Sequence, residues 1–183
     1  MARTPSTKIR FRARLCRPLE PAGAAWSFLV LPAEASARLP SRSQVSVSGT
    51  LAGQPFQATL EPDGRGSHWL RVEPALCGAA AVEAGHDVEV VIAPRAQEPE
   101  PQVPDDLEQA LQANAQALAT WRDITAVARR DWIQWITSGK KAETRGKRIA
   151  SACDMLAKGK RRACCFDRSG IYSKAFAAPE AAP

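Results

Sequence analysis

Two histidines and five cysteines are the residues best suited to chemistry in this chain. His68 lies just after the turn Pro62-Asp63-Gly64-Arg65-Gly66 and shares the phase of Leu70 and Val72. That phase turns it inward, as a satisfied core or rim histidine. The sharper alternative is a general base, which needs a nucleophile or substrate proton within hydrogen-bond reach. His86 follows Gly85 in a turn and is expected in solvent. Cys164 and Cys165 are adjacent, and Cys153 precedes them. Adjacent thiols bite a tetrahedral ion poorly, and no second pair or histidine lies nearby, so no metal site is expected. Lys160, Arg161 and Arg162 would lower a neighbouring thiol pKa, which suits a redox-sensitive pair. The bland reading is incidental thiols. Gly64-Arg65-Gly66 is too short for a dinucleotide fingerprint and has no helix after it. No catalytic, cofactor-binding or metal residue is assigned.

The other conspicuous stretch is Arg129–Arg148, RRDWIQWITSGKKAETRGKR. It interleaves Trp132 and Trp135 with basic residues, as a nucleic-acid grip would. On a helix, however, Ala128, Trp132, Trp135 and Ile136 fall on one apolar face. The tryptophans are therefore read as core. Lys140, Lys141, Lys147 and Arg148 stay mostly outside. Arg145 falls close to the apolar face of the next helix, where a charge should be paired. Asp131 and Glu143 are the candidate partners, in a structural pair that ties two helices together or pins them to the preceding domain. The residues singled out as structural or binding candidates are Trp132, Trp135, Arg145, Asp131, Arg148 and His68.

The elements that must position these residues divide into two kinds. From Lys8, the residues Ile9, Phe11, Ala13 and Leu15 alternate with Lys8, Arg10, Arg12 and Arg14. A period of two marks a strand with one buried and one basic face. Trp26–Leu31 is a second strand, stopped by Pro32, with a short helix expected over 32–39. Val45, Val47, Gly49 and Leu51 alternate on a third, and Phe56, Ala58 and Leu60 continue after Ala52-Gly53. Ser67–Val72 and Val88–Ile92 complete six strands. Short strands separated by turn signals predict a small, nearly closed antiparallel barrel over 8–95. Prolines 94, 99, 101 and 104 make 96–104 an extended linker.

The remainder is helical. Leu111, Ala115, Leu118 and Trp121 form a stripe on a helix starting at Pro104-Asp105-Asp106. Thr125 N-caps a second helix that Gly139 ends, and Thr144 N-caps a third that Gly159 ends. Ile149, Ala152, Cys153 and Leu156 share the third helix's inner face. A short polar turn between the last two predicts a helical hairpin or three-helix unit over 105–160. Residues 161–183 read as a poorly ordered tail. The fold class is α+β.

The net charge is +6. It is concentrated late: residues 120–174 hold 14 Lys or Arg against 5 Asp or Glu. No apolar run approaches the roughly 20 residues that span a bilayer. No signal-peptide core precedes the first strand. A cytoplasmic protein with free thiols is expected.

The chain resembles a known bacterial arrangement. Phe11-Arg12-Ala13, Trp26-Ser27-Phe28-Leu29-Val30-Leu31-Pro32, Val47–Phe56 and Gly64–Leu70 are similar to a small β-barrel domain of unknown function. Val103–Leu107, Arg129–Ile136 and Glu143–Ile149 resemble the YdeI/OmpD-associated, bacteriocin-protection family. The departures are Leu76–Ala81 and Ala93-Pro94-Arg95. The resemblance implies a fold and a loose link to envelope stress or cationic-peptide tolerance. It implies no established reaction, and no cofactor is expected. The leading reading is thus a non-enzymatic binding or adaptor protein with an unknown ligand or protein partner. Nucleic-acid binding by the basic helices is the alternative, and an enzyme built on His68 is a third.

Overall fold

The computed structural model describes residues 7–164 and 166–183. One compact unit runs to Gln97 and takes in Asp167–Pro183; the other is Glu98–Phe166.

The first unit is the barrel. Its strands are β1 (Ile9–Arg14), β2 (Ser27–Val30), β3 (Val45–Leu51), β4 (Gln54–Pro62), β5 (His68–Val72) and β6 (Asp87–Pro94). The neighbour order is β1-β6-β3-β4-β5-β2, all antiparallel. A bridge between Cys16 and Phe28, with both N–H···O bonds at 2.8 Å, draws the two outer strands together. The period-two residues do what their spacing demands. Ile9, Leu15, Val47, Leu51, Leu60, Val88, Val90 and Ile92 are buried in one core. Gly49 is required at its place, because a Cβ there would sit 1.9 Å from the Val91 carbonyl oxygen. The helix α1 (Ala33–Ala37) follows Pro32 as expected.

Two features of this unit differ from the sequence-based expectation. A helix α2 (Pro74–Ala80) stands between β5 and β6, with Pro74 in its first turn. Its mix of small residues with Gly78 carries no helical stripe, and none of its residues is buried. Leu76, Cys77 and Ala80 nevertheless pack on the barrel core. The tail expected to be poorly ordered instead docks on the barrel from Asp167 onward. Leu19 N–H donates to the Glu180 carbonyl at 2.7 Å, and Ala182 N–H to that of Arg17 at 2.8 Å. The Asp167 carboxylate accepts from the Ser169 and Ser173 hydroxyls and from the Ser169, Gly170, Tyr172 and Ser173 amides. Desolvation pushes its pKa up, but these bonds together, the Ser169 hydroxyl foremost, hold it below the carboxylate range. Backbone pairing of this kind leaves no pattern in side-chain type.

The second unit is helical: α3 (Asp105–Gln112), α4 (Ala115–Asp123), α5 (Ala126–Thr137) and α6 (Ala142–Ala157). The first expected helix is broken in two. Asn114 takes an extended conformation, and its side chain accepts from Ala117 N–H, which starts α4 afresh. Thr125 caps α5 through Ala128 N–H at 3.2 Å, as predicted. The third helix begins earlier than predicted, after Lys141, so Thr144 lies inside it. Helix α6 packs against α3, α4 and α5. Leu107, Leu111, Trp121, Trp132, Ile136, Ile149 and Leu156 form the core between them.

Candidate functional site

His68 is fully buried on β5. Its Nδ1 lies 2.7 Å from Ser36 Oγ, and its Nε2 2.8 Å from the Ser43 carbonyl oxygen. The Nε2 contact requires N–H to donate there, which leaves Nδ1 to accept from the serine hydroxyl. Burial holds the pKa below the usual histidine value, with the Ser43 bond opposing it. Both ring nitrogens are committed to structure. The ring joins β5 to α1 and to the loop before β3, which is the core reading made from its phase. His86 is exposed in its turn, where Nδ1 accepts from Glu83 N–H.

The basic residues of the helical unit are mostly spoken for. Arg145 pairs with neither Asp131 nor Glu143. Its Nε and Nη2 grip both oxygens of Asp106 at 2.6 and 2.9 Å, a two-pronged pair that ties α6 to the first turn of α3. Glu143 instead holds Lys147 one turn along the same helix. Asp131 is buried on α5. Arg148 donates from Nη1 to the Trp135 carbonyl and to Ser138 Oγ, both at 2.6 Å. It also lies 5.7 Å from the Trp135 ring centre. This arginine closes the C-terminal end of α5, where carbonyls lack helical partners. Arg129 does the same for α4, donating to the Trp121 carbonyl at 3.0 Å while paired with Glu100. Arg161 pairs with Asp123, and Arg130 with Glu98. Trp132 is fully buried and meets Trp135 edge-on at 5.9 Å. Cys153 is buried, which pushes its thiol pKa up, away from reactivity. Cys164 is exposed, and Cys165 lies outside the described residues.

A wide open groove lies where no motif marked it. β4 pairs with β3 from Gln54 to Leu60, but with β5 only at Glu61–Trp69 and Pro62–His68. Beyond that two-residue zip, β5 turns to β2 alone, and the barrel wall is unladdered between β4 and β5. Helix α2 stands beside this seam. Between them runs a groove of about 820 Å³, lined by Pro55–Thr59, Glu61, Trp69, Arg71, Glu73, Ala75, Leu76 and Ala79. Leu60 is buried, while Ala58 and Phe56, in the same inward phase, are progressively closer to the open end and partly exposed. Core-facing residues therefore form the floor. The rim is polar: Arg71 is held by Glu73 at 2.7 Å and stacks on Trp26 at 4.3 Å. Gln44 fixes the Glu61 carboxylate through two bonds of 2.8 and 2.9 Å. An apolar floor with a few oriented polar groups has the make-up of a ligand site. A smaller recess of about 330 Å³ in the helical unit is lined by Leu118, Trp121 and the Arg129–Glu100 pair.

No residue in the seam could be found by motif, because a seam is a place where a ladder ends. The one trace in the sequence is Pro55, which cannot donate to a ladder and is tolerated at a strand edge.

Among the described residues, no helix is long and apolar enough to cross a membrane. None of the curated proteins matches the chain. Two family models do. Residues 11–92 match the Domain of unknown function (DUF1905). Residues 100–159 match the family described as Bacteriocin-protection, YdeI or OmpD-Associated. The first match covers the barrel and its seam; the second covers the helices and the Arg145–Asp106 and Arg148–Trp135 contacts. The helical domain thus matches the YdeI/OmpD-associated family, and the β-barrel ahead of it matches DUF1905.

Proposed function

We propose that this is a non-enzymatic binding protein whose ligand site is the seam groove of the barrel. The observation that carries the reading is the opened wall between β4 and β5, where Phe56, Ala58, Trp69 and Leu76 form an apolar floor under a polar rim. Burying such a floor favours binding by about 25 cal/mol per Å² of apolar surface removed from water. The ring of His68, bonded through both nitrogens, supports binding rather than catalysis at the barrel. The bacteriocin-protection label of the family matched by the helices supports a part in tolerance of such peptides.

Titration with nile red, a neutral apolar dye, tests the site. We expect saturable binding with a blue-shifted emission. Ala79→Trp, an exposed position on α2 facing the groove, should abolish it. Dye binding that is unchanged in Ala79→Trp and in Trp69→Ala would overturn the reading.

The nucleic-acid alternative needs exposed, uncommitted cations and stacking rings. Arg129, Arg130, Arg145, Arg148 and Arg161 are instead engaged with carboxylates or helix-end carbonyls. On β1, Arg12 and Arg14 stand opposite Glu89 and Asp87 across the ladder. Both facts favour the groove.

A further inference from the structure

We propose that the occupant of the groove is an extended polypeptide segment of a partner protein, which adds to the free edge of β4 as a further strand. The proposal rests on the groove being the binding site and names the class of ligand it takes.

The lining itself points to an edge. Side chains of a strand alternate between two faces, so a cavity against one face touches every second residue. Here five consecutive residues, Pro55 to Thr59, line the groove. Only the edge of a strand presents consecutive residues. That edge carries backbone groups that point away from β3. Among the described residues, Pro55–Leu60 make no backbone bonds beyond the β3 ladder. Unpaired amide and carbonyl groups beside an apolar floor are costly, and the shape that satisfies all of them at once is another strand.

The barrel already pairs with an extended chain elsewhere. Its own tail bridges Pro18 with Ala181, flanked by the Leu19–Glu180 and Arg17–Ala182 bonds. Backbone pairing thus helps hold an Ala- and Pro-rich stretch on this unit. The seam adds pockets to the same mode of recognition. Alternate side chains of an occupant on β4 would meet Phe56, Ala58, Trp69 and Leu76. The five edge residues span about 17 Å, enough for a five- or six-residue segment. Charge sets the direction. At the zipped end the rim carries Glu61 and Glu73 against one guanidinium, Arg71, which already bonds Glu73. The segment that fits is alternately apolar with a basic residue at that end.

The test begins with a random linear peptide library displayed on phage. It is selected on the full-length protein and counter-selected on Ala79→Trp, with Ala75→Trp as a second blocking variant on the same exposed face. The enriched peptide is then synthesised with backbone N-methyl groups on one alternate set of residues or on the other. Strand addition uses one set of N–H donors only. We expect one N-methylated set to weaken binding at least tenfold and the other to leave it within twofold. Alternate amides among Phe56–Leu60 should gain protection from hydrogen exchange. Equal tolerance of both sets, or no enrichment while nile red still binds, would overturn strand addition and leave the groove standing. A peptide that binds both blocked variants as well as the native protein, together with unchanged dye binding in them, would remove both readings.

Discussion

Replacing Arg145 by alanine removes the pair that joins α6 to the start of α3, and the structure lets the cost be worked out. The guanidinium meets both oxygens of Asp106, at 2.6 and 2.9 Å. Two-pronged geometry strengthens such a pair, but the side chains are 29% and 46% exposed, so solvent screens it. The coupling should be about 1 kcal/mol, at the upper end for exposed pairs. The assay is a double-mutant cycle of Arg145→Ala and Asp106→Asn by urea unfolding, repeated at low and high salt. Asp106→Asn keeps the Oδ1 that accepts from Leu107 N–H. Salt should shrink the coupling, since the Debye length falls to about 3 Å at 1 M. The pH dependence has a definite sign. The Arg145 hydrogen bonds lower the Asp106 pKa below its ordinary value, so the carboxylate is favoured in the folded state. Its contribution is complete above about pH 4, the unfolded carboxyl range. It is lost as pH falls through the folded pKa. A parallel cycle with Asp131→Asn should show no coupling. A coupling indistinguishable from zero with Asp106, or an equal one with Asp131, would refute the assignment.

Other outcomes follow from single contacts. His68→Ala strands the Ser36 and Ser43 partners in the core and should cost about 2–4 kcal/mol, read by chemical denaturation. In the native protein, burial of neutral His68 should make stability fall as pH drops below about 6.5, because the unfolded ring takes up a proton more readily. That slope should be absent in the alanine variant. Gly64 has a φ of +73°, and a Cβ there would lie 2.1 Å from the Phe176 carbonyl oxygen. Gly64→Ala should therefore release the docked tail, seen as faster hydrogen exchange over 167–183. A gel shift with single- and double-stranded DNA at 50 mM salt should show no retardation; a steep, salt-sensitive shift would revive the nucleic-acid reading.

Much of the architecture was legible because it rests on local periodicity. Ile9, Phe11 and Leu15 alternate with arginines, and no arrangement but a half-buried strand satisfies both sets. Ala128, Trp132 and Ile136 recur at helical spacing and are buried as that spacing requires. Turn chemistry was equally local: Asp63 accepts from Arg65 and Ser67 amides, as an aspartate ahead of two glycines can. The inward phase of His68 came from the same alternation. What escaped lacks a local signature. Helix α2 has no apolar stripe, and the barrel beside it decides its place. The break at Asn114 competes with a stripe that runs straight through it. Arg145 showed that it needed a partner but not which one, since Asp106 is distant in sequence.

The division has one physical cause. Side-chain period, caps and glycine conformations act over a few residues, so the chain alone determined six strands, the helical half, the buried Trp132 and the families they resemble; Trp135 is only partly buried. Pairing between distant segments depends on where each ladder stops and which backbone groups are left over. Only the tertiary structure could decide that β4 parts from β5 after two residues, that the tail lies on the barrel, and that the groove opens where core residues Phe56 and Ala58 reach the surface.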